Sequence, residues 1–293
     1  MTSNLLVSPR QLASAIGVSE SSLKRWADEG LLLVSKTAGG HRRISITAAI
    51  RFIRDRQLEL VRPDILGLPA KVMSTSEVRL FKDPEKHLAD LFINARLDEA
   101  ELFITSRFLA GDSVAAIADG MIRHALAEVG ELWNHRGDGI VIEHRATDTC
   151  LRGLMRIRSL METPENALIS SGGGLQDDPY ILPSLVASLV AVENGLTAKN
   201  LGPNTPIDSM KIAADTDGSS LFWITVSNLL DREQTRKDIL DLQTHLGQRG
   251  CVLVIGGRHA NQLDLPSEGN RIFCSDMVEF AEATRNIAKS NPR

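Results

Sequence analysis

The chain has 293 residues, 43% of them apolar and 24% charged, the composition of a water-soluble globular protein with more than one domain. Its three cysteines, Cys150, Cys251 and Cys274, are odd in number and widely spaced, which excludes a disulfide framework and fits a reducing cytoplasm; the longest uncharged apolar run, Tyr180–Val192, is too short for a bilayer span of ~20 residues, and the N-terminus has no apolar signal core. The net charge of −4 is unevenly spread, since residues 1–63 hold ten Lys/Arg and five Asp/Glu, a net of +5, and the remainder carries −9; a small basic head on an acidic body points to a polyanionic partner for the head.

The first element is a short helix opened by Ser8 as N-cap with Pro9 in the first turn, buried through Leu12, Ala13 and Ile16 and broken at Gly17. Ser19 caps a second helix whose Leu23 and Trp26 turn inward, while Ser21, Ser22, Lys24 and Arg25 point outward. Two short helices across a glycine turn match a helix-turn-helix. "LLLVSKTAGGHRRISI" then reads as two strands about a Gly-Gly turn, a basic hairpin carrying Lys36, His41, Arg42 and Arg43 and suited to gripping phosphates. The order helix-turn-helix, Trp, Gly-Leu, Gly-His-Arg-Arg resembles the winged head of the MerR family of transcription regulators over about residues 5–58. That resemblance implies operator DNA as partner, with Ser21, Ser22, Lys24, Arg25, Lys36, His41, Arg42 and Arg43 as the contact residues.

An amphipathic helix from Thr47 closes the head, residues 1–60. Residues 61–84 hold three prolines and no sustained period, and read as a linker. From 85 to 163 helical spacing dominates, with a break near Leu97-Asp98, a helix capped by Asp112-Ser113 and running to Trp133, and a last helix from Ile140; the expected architecture is a four-helix bundle. Glu143 or His144, Thr147, and Cys150 or Leu151 fall on one face of that last helix. Trp133 followed by Glu143-His144 is a weak signal alone, and no further residues stand at metal-ligand spacing.

Residues 164–293 alternate strand and helix. "ALIS" is a strand and "SGGG" a glycine loop; four more strands follow as "TAKNLG", "LFWITV", "CVLVIGG" and "RIFC", with helices between and a final helix from Asp276. This is a five-strand doubly wound α/β domain, whose ligands sit at the carboxyl ends of the strands. "SGGGLQ" is neither a GxGxxG nor a Walker loop.

The whole chain, a MerR-like head, a bundle with Trp then Glu-His, and an α/β domain with Gly256-Gly257 after its fourth strand, resembles the CarH and LitR class of cobalamin-dependent photoreceptor repressors. In that class the bundle caps the upper face of adenosylcobalamin with its Trp, the α/β domain grips the lower face and the nucleotide tail, and the ligand supports an oligomer on operator DNA that light releases. The resemblance makes Trp133, Asn134, Glu143, His144, Thr147, Tyr180, Thr225, Gly256 and Gly257 the ligand-binding candidates. It also exposes departures. Where the class has Asp-x-His-x-x-Gly, this chain has Asp178 to Pro183, with Tyr180 at the cobalt-ligating His and Pro183 at the Gly. Asn134 stands at the His after the bundle Trp, His135 is one position off, and Thr225 stands for the Ser of the third-strand motif. Tyr is a poor cobalt ligand beside imidazole, and Pro and Thr narrow the tail slot.

Three readings of the pocket follow: a bilin such as biliverdin, placed slightly ahead; cobalamin with its own base as lower ligand; and an empty domain used for assembly. Cys150 is a conceivable bilin tether, but a Cys on an apolar helix face is more often core. The expectation is a cytoplasmic, non-enzymatic transcription regulator sensing a tetrapyrrole, a homo-oligomer (dimer or tetramer) with no metal and no membrane partner. The alternative is a corrinoid carrier for methyl transfer, which pairs the same bundle and α/β domain but needs the missing His.

Overall fold

The computed structural model describes residues 6–132, 137–163, 165–266 and 269–290. The chain divides into two compact units, Met1–Ser113 with Gly120–Glu162, and Val114–Asp119 with Thr163–Arg293.

In the first unit, β1 (Leu6–Val7) leads into α1 (Pro9–Ile16). Ser8 Oγ accepts the Gln11 N–H at 3.2 Å while the Gln11 side chain accepts the Ser8 N–H at 2.9 Å, a reciprocal cap that satisfies two otherwise orphaned donors. The turn is made at Gly17, in the left-handed region at φ +69°. Ser19 then caps α2 (Glu20–Asp28) by accepting the Ser22 N–H at 3.2 Å. β2 (Ser35–Lys36) and β3 (Arg42–Ser45) complete an antiparallel sheet of order β1-β3-β2. α3 (Ile46–Asp55) follows directly, and its Phe52 packs on Trp26 with ring centroids 5.3 Å apart.

Residues 61–84, expected as a linker, are a packed connector holding a 3-10 turn (Pro63–Leu66) and α4 (Thr75–Arg79). Leu66, Leu68, Val72 and Val78 are buried. The Val61 and Arg62 N–H groups donate to the Ala15 carbonyl, and Glu59 accepts from the N–H groups of Thr75 and Ser76 at 3.0 Å each. The apolar residues are spaced too irregularly to show a period, yet these four are seated, while Val61 and Leu80 stay exposed. α5 (Pro84–Ile93) and α6 (Leu97–Leu109) follow. The single helix expected from Asp112 to Trp133 is instead α7 (Val114–Ala116), a π-helical stretch Ile117–Ile122 and α8 (Arg123–Glu131). The wide turn contains Gly120, and the carboxylate of Asp119 accepts the Met277 N–H at 2.8 Å, an arrangement of the kind that opens π turns inside helices.

With α9 (Gly139–Leu160), helices α5, α6, α8 and α9 pack on one another as four helices, around Leu88, Phe92, Phe103, Ile104, Ala125, Val129, Cys150 and Leu154. The last turn of α6 is capped from α3: Arg54 donates to the carbonyls of Phe108 (2.7 Å) and Asp112 (2.9 Å), and its guanidinium lies 3.5 Å from the Phe108 ring centroid. On the opposite flank the mostly buried Glu101 of α6 accepts from Arg152 (3.0 Å) and Arg156 (2.7 Å) of α9. Burial works against the charged form of Glu101, but the bonds from the two arginines together outweigh it and hold its carboxyl below the ordinary value. That depressed value gives the sign. The contribution is fully present above the ordinary carboxylate pKa and is lost as pH falls through the lower folded one. Because both arginines are partly solvated, Glu101→Gln is expected to lower stability by about 1–2 kcal/mol at neutral pH and to flatten the loss on acidification. Urea midpoints at neutral and acid pH check this.

In the second unit, residues 114–119 are tied in by Glu193, which accepts the Val114 N–H at 2.8 Å. The elements are β4 (Ile169–Gly174), α10 (Ile181–Glu193), β5 (Thr197–Asn200), α11 (Ile207–Asp217), β6 (Leu221–Thr225), α12 (Arg232–Gly247), β7 (Val252–Gly256), β8 (Arg271–Phe273) and α13 (Met277–Lys289). The five strands are parallel in the order β5-β4-β6-β7-β8, so the switch point lies between β4 and β6. Phe222, Ile224, Val226, Leu253 and Ile255 face the helices α11 and α12, in one core with Met210, Ile239 and Leu242. By the two-residue alternation of strands, Leu221, Trp223 and Thr225 face the other way, where α10 packs on β4, β6 and α13. The expected "SGGG" loop is not a loop: these residues are the second half of β4, and the chain turns only at Leu175–Tyr180.

Candidate functional site

The head gathers its cations on two elements. On α2, Ser21, Lys24 and Arg25 are exposed and Ser22 is half-buried; the hydroxyls of Ser21 and Ser22 lie 2.8 and 3.0 Å from the capping Ser19 Oγ. The hairpin register sets Lys36 opposite Arg42 and Ser35 opposite Arg43, and its tip closes through Thr37 and His41. Arg42 donates to Asp28 at 2.8 Å, which ties the hairpin to the end of α2. Its role is thus first structural. Arg25 stands only at the margin of an ion pair with Glu29, 4.0 Å away. Lys24, Lys36, His41 and Arg43 make no ion pair among the described residues. Ser21, Lys24 and Arg42 line one groove of about 420 Å³, floored by Leu23, Leu32 and Ile44, so the helix and the hairpin present their polar groups across a common space.

Of the ligand candidates, Trp133 and Asn134, with His135, lie outside the described residues. Glu143, His144 and Thr147 share the start of α9: Thr147 Oγ1 donates to Glu143 at 3.3 Å, and His144 Nε2 lies 3.6 Å from the same carboxylate. Glu143 and Thr147 are half-buried and His144 is exposed. Cys150, one turn further, is fully buried and its thiol is pushed far up by burial; it is core and presents no tether.

Tyr180, Thr225, Gly256 and Gly257 belong to the second unit. Tyr180 is the N-cap residue of α10 and 49% exposed. Thr225 ends β6 and is 4% exposed, with its hydroxyl buried and without a hydrogen-bond partner among the described residues. Gly174, Thr225 and Gly256 stand side by side across three strands, a row of small residues on the face turned to α10. Gly257 turns at φ +109°, and a Cβ there would lie 2.6 Å from the Val226 backbone. The glycine lets the loop after β7 lie flat on the loop after β6.

Three groups central to this edge were not singled out as ligand candidates from the sequence. Asp178 is fully buried and accepts from the N–H groups of Ser227 (2.5 Å) and Tyr180 (3.2 Å). Asn204 N–H donates to the Asp178 carbonyl, and Asn228 donates to that of Asp177, so the loops after β4, β5 and β6 are laced together. Burial raises the Asp178 carboxyl above its usual value, although the Ser227 and Tyr180 amides pull the other way. Ser227, not Thr225, is the residue of this strand end that meets Asp178, and it does so through its backbone, which no side-chain pattern announces.

The third group is Trp223. It lies opposite Gly172 and is 1% exposed. Its ring meets Phe280 of α13 edge-on at 6.5 Å. A Cβ on Gly172 would fall 2.1 Å from the Trp223 carbonyl oxygen and 2.4 Å from its indole, which is why β4 needs glycine there. The indole Nε1 has no acceptor among the described residues. Burying some 200 Å² of indole gives about 5 kcal/mol, against about 1–3 kcal/mol for the unpaired N–H, so the arrangement is net favourable. Among the described residues no group of three or more His, Cys, Asp or Glu is placed to hold a metal ion, and no helix is long and apolar enough to cross a membrane.

No family model matches the chain, and no curated protein matches it in sequence. Among solved structures it is similar to the monomethylamine corrinoid protein of Methanosarcina barkeri, with a TM-score of 0.52 and 13% identity over 73% of this chain and 99% of that one. A methanol:cobalamin methyltransferase complex of the same organism (TM-score 0.38, 14% identity, 79% and 90% covered) and a cobalamin-binding protein of Desulfitobacterium hafniense DCB-2 (TM-score 0.35, 13% identity, 69% and 97% covered) are more distant in shape. This first likeness is one of fold, shared through the five-strand parallel sheet and its helices. The first likeness gives a bilin no support.

Proposed function

We propose that the chain is a DNA-binding regulator, binding rather than catalysing, with a MerR-type winged helix-turn-helix at residues 1–60 and a corrinoid-protein fold as its α/β part. The observation that carries this reading is the head: a doubly capped helix pair across a left-handed Gly17, with Lys24 of α2 and the hairpin presenting unpaired cations. Duplex DNA is the partner proposed, and a homo-oligomer the assembled form. Lys24, Lys36, His41 and Arg43 are the proposed phosphate contacts; Arg42 is held by Asp28 and positions the hairpin. With a random-sequence duplex as probe, Arg43→Ala is expected to weaken binding uniformly and to reduce the slope of log K against log salt by about 1. Anisotropy titrations at several salt concentrations measure it. A slope equal to that of the wild type sinks the assignment.

A second reading, a corrinoid carrier for methyl transfer, stands nearer to the structural comparisons than the regulator does, since the Methanosarcina barkeri protein is by name a corrinoid protein. The residues of this chain do not fit that group with its nucleotide tail buried. Tyr180 puts an exposed phenol where the class has an imidazole, Thr225 seals the row at the strand ends, and Trp223 fills the space beneath it.

A further inference from the structure

We propose that Trp223 is a built-in plug: its indole occupies, from inside the fold, the room beside Gly172 that the base of a corrinoid's nucleotide tail would need, and it thereby decides which ligands the carboxyl edge of the sheet admits. The proposal goes beyond both readings of function and is independent of whether the head binds DNA. The tail of cobalamin ends in a benzimidazole, a flat two-ring base of the size and shape of indole. In this chain the row Gly174, Thr225 and Gly256 stands at the strand ends on the face turned to α10, with no side chain larger than threonine. The next row inward on the same face is Gly172, Trp223 and Val254. There the absence of a Cβ at Gly172 creates room, and the indole takes it up, with ring atoms 2.4 and 2.5 Å from where that Cβ would stand.

Two further atoms point to a guest's site occupied by a residue of the chain itself. Thr225 Oγ1 and Trp223 Nε1, two positions apart on one face of β6, are both buried and, among the described residues, both without a hydrogen-bond partner. Orphaned buried polar atoms are uncommon in folded proteins, and a strand shaped only for packing would carry aliphatic side chains at such positions. Here one stands at the strand end and the other belongs to the plug itself. A small apolar residue at 223 would leave a slot with a hydroxyl at its mouth and a glycine floor. The class of ligand excluded is therefore the tailed corrinoid; a corrin ring without a tail is indifferent to residue 223.

The test uses the full chain as wild type, Trp223→Ala and Trp223→Leu. Each is incubated with hydroxocobalamin or with cobinamide, which has the same ring and no nucleotide tail. Bound corrin is read from the absorbance of the desalted protein. The wild type is expected to retain no more hydroxocobalamin than cobinamide. Trp223→Ala is expected to retain roughly ten-fold more hydroxocobalamin than the wild type, with cobinamide unchanged. Free 5,6-dimethylbenzimidazole should raise the thermal midpoint of Trp223→Ala and leave that of the wild type where it is. If Trp223→Ala does not fold, Trp223→Leu, which keeps more apolar volume, should show a smaller gain in the same direction. Wild-type protein that retains hydroxocobalamin in excess of cobinamide overturns the proposal, and so does a folded variant that gains neither cobalamin nor benzimidazole. If neither variant folds, the wild-type arm alone decides by the same comparison. Failure of the DNA-binding reading is registered separately, by the salt slope of Arg43→Ala.

Discussion

Gly172→Ala is expected to destabilise the second unit by about 3 kcal/mol or more, close to the point where a domain of ordinary stability no longer folds. The added methyl group would lie 2.1 Å from the carbonyl oxygen of Trp223 and 2.4 Å from its indole. The indole can in principle rotate or shift, but the carbonyl belongs to the neighbouring strand and is held by the parallel ladder between β4 and β6. Relief requires the two central strands to part. For that reason Trp223→Ala in the same chain is not expected to rescue Gly172→Ala, although it removes the larger side-chain clash. Gly130→Ala is the control. Gly130 lies in α8 with nothing within 4 Å of its would-be Cβ, and alanine there should be neutral or stabilising by up to about 1 kcal/mol. Urea midpoints of the three variants check the set. A Gly172→Ala protein within about 1 kcal/mol of wild type would mean that β4 and β6 are not packed in this way.

This glycine also shows where sequence reasoning reaches its limit. Three glycines in a row read as a loop, because glycine weakens strands and favours turns. The reason for glycine at 172 lies 51 residues away in sequence order, in the backbone carbonyl and then the indole of Trp223, and no local signal carries that. The Trp itself sits in "LFWIT", five residues that are all buried. A strand covered by helices on both sides has no alternation to read, so its strand character was legible and the face of Trp223 was not. The caps of the head were legible for the opposite reason: Ser8 with Gln11, and Ser19 with the Ser22 amide, are contacts within three residues. Arg54, which closes the end of α6 from α3, spans more than fifty residues and reads in sequence as one more surface cation. The order of strands and helices after residue 164 was legible almost throughout, because each strand is a short apolar run bounded by turn residues. The stitching of their carboxyl-end loops was not, because it runs through the Ser227, Tyr180 and Asn204 amides and the Asn228 side chain.

The carboxylate at the centre of that stitching is where the other large effect is expected. Asp178→Ala should cost about 3 kcal/mol, because it leaves the N–H groups of Ser227 and Tyr180 without their acceptor at a fully buried position. It also frees the loop whose remaining ties are the Asn204 and Asn228 bonds to the backbone of residues 177 and 178. Asp178→Asn is isosteric but is expected to recover only part of the loss. One of its two terminal atoms becomes a donor, and it must face one of two N–H groups that are themselves donors.

The pH dependence separates the charge from the geometry. Burial holds the folded Asp178 carboxyl above the unfolded value, so the folded state binds the proton more tightly. Stability contributed by this group is then greatest below the unfolded pKa, and it falls as pH rises through the higher folded one. Asp178→Ala and Asp178→Asn should both remove that slope, while only the alanine loses both amide bonds. Unfolding curves at a series of pH values from the acid side of the carboxylate range to neutrality would read the two effects independently. An Asp178→Asn protein that matches the wild type in stability and in pH slope would mean that the loops after β4 and β6 are not held by this carboxylate.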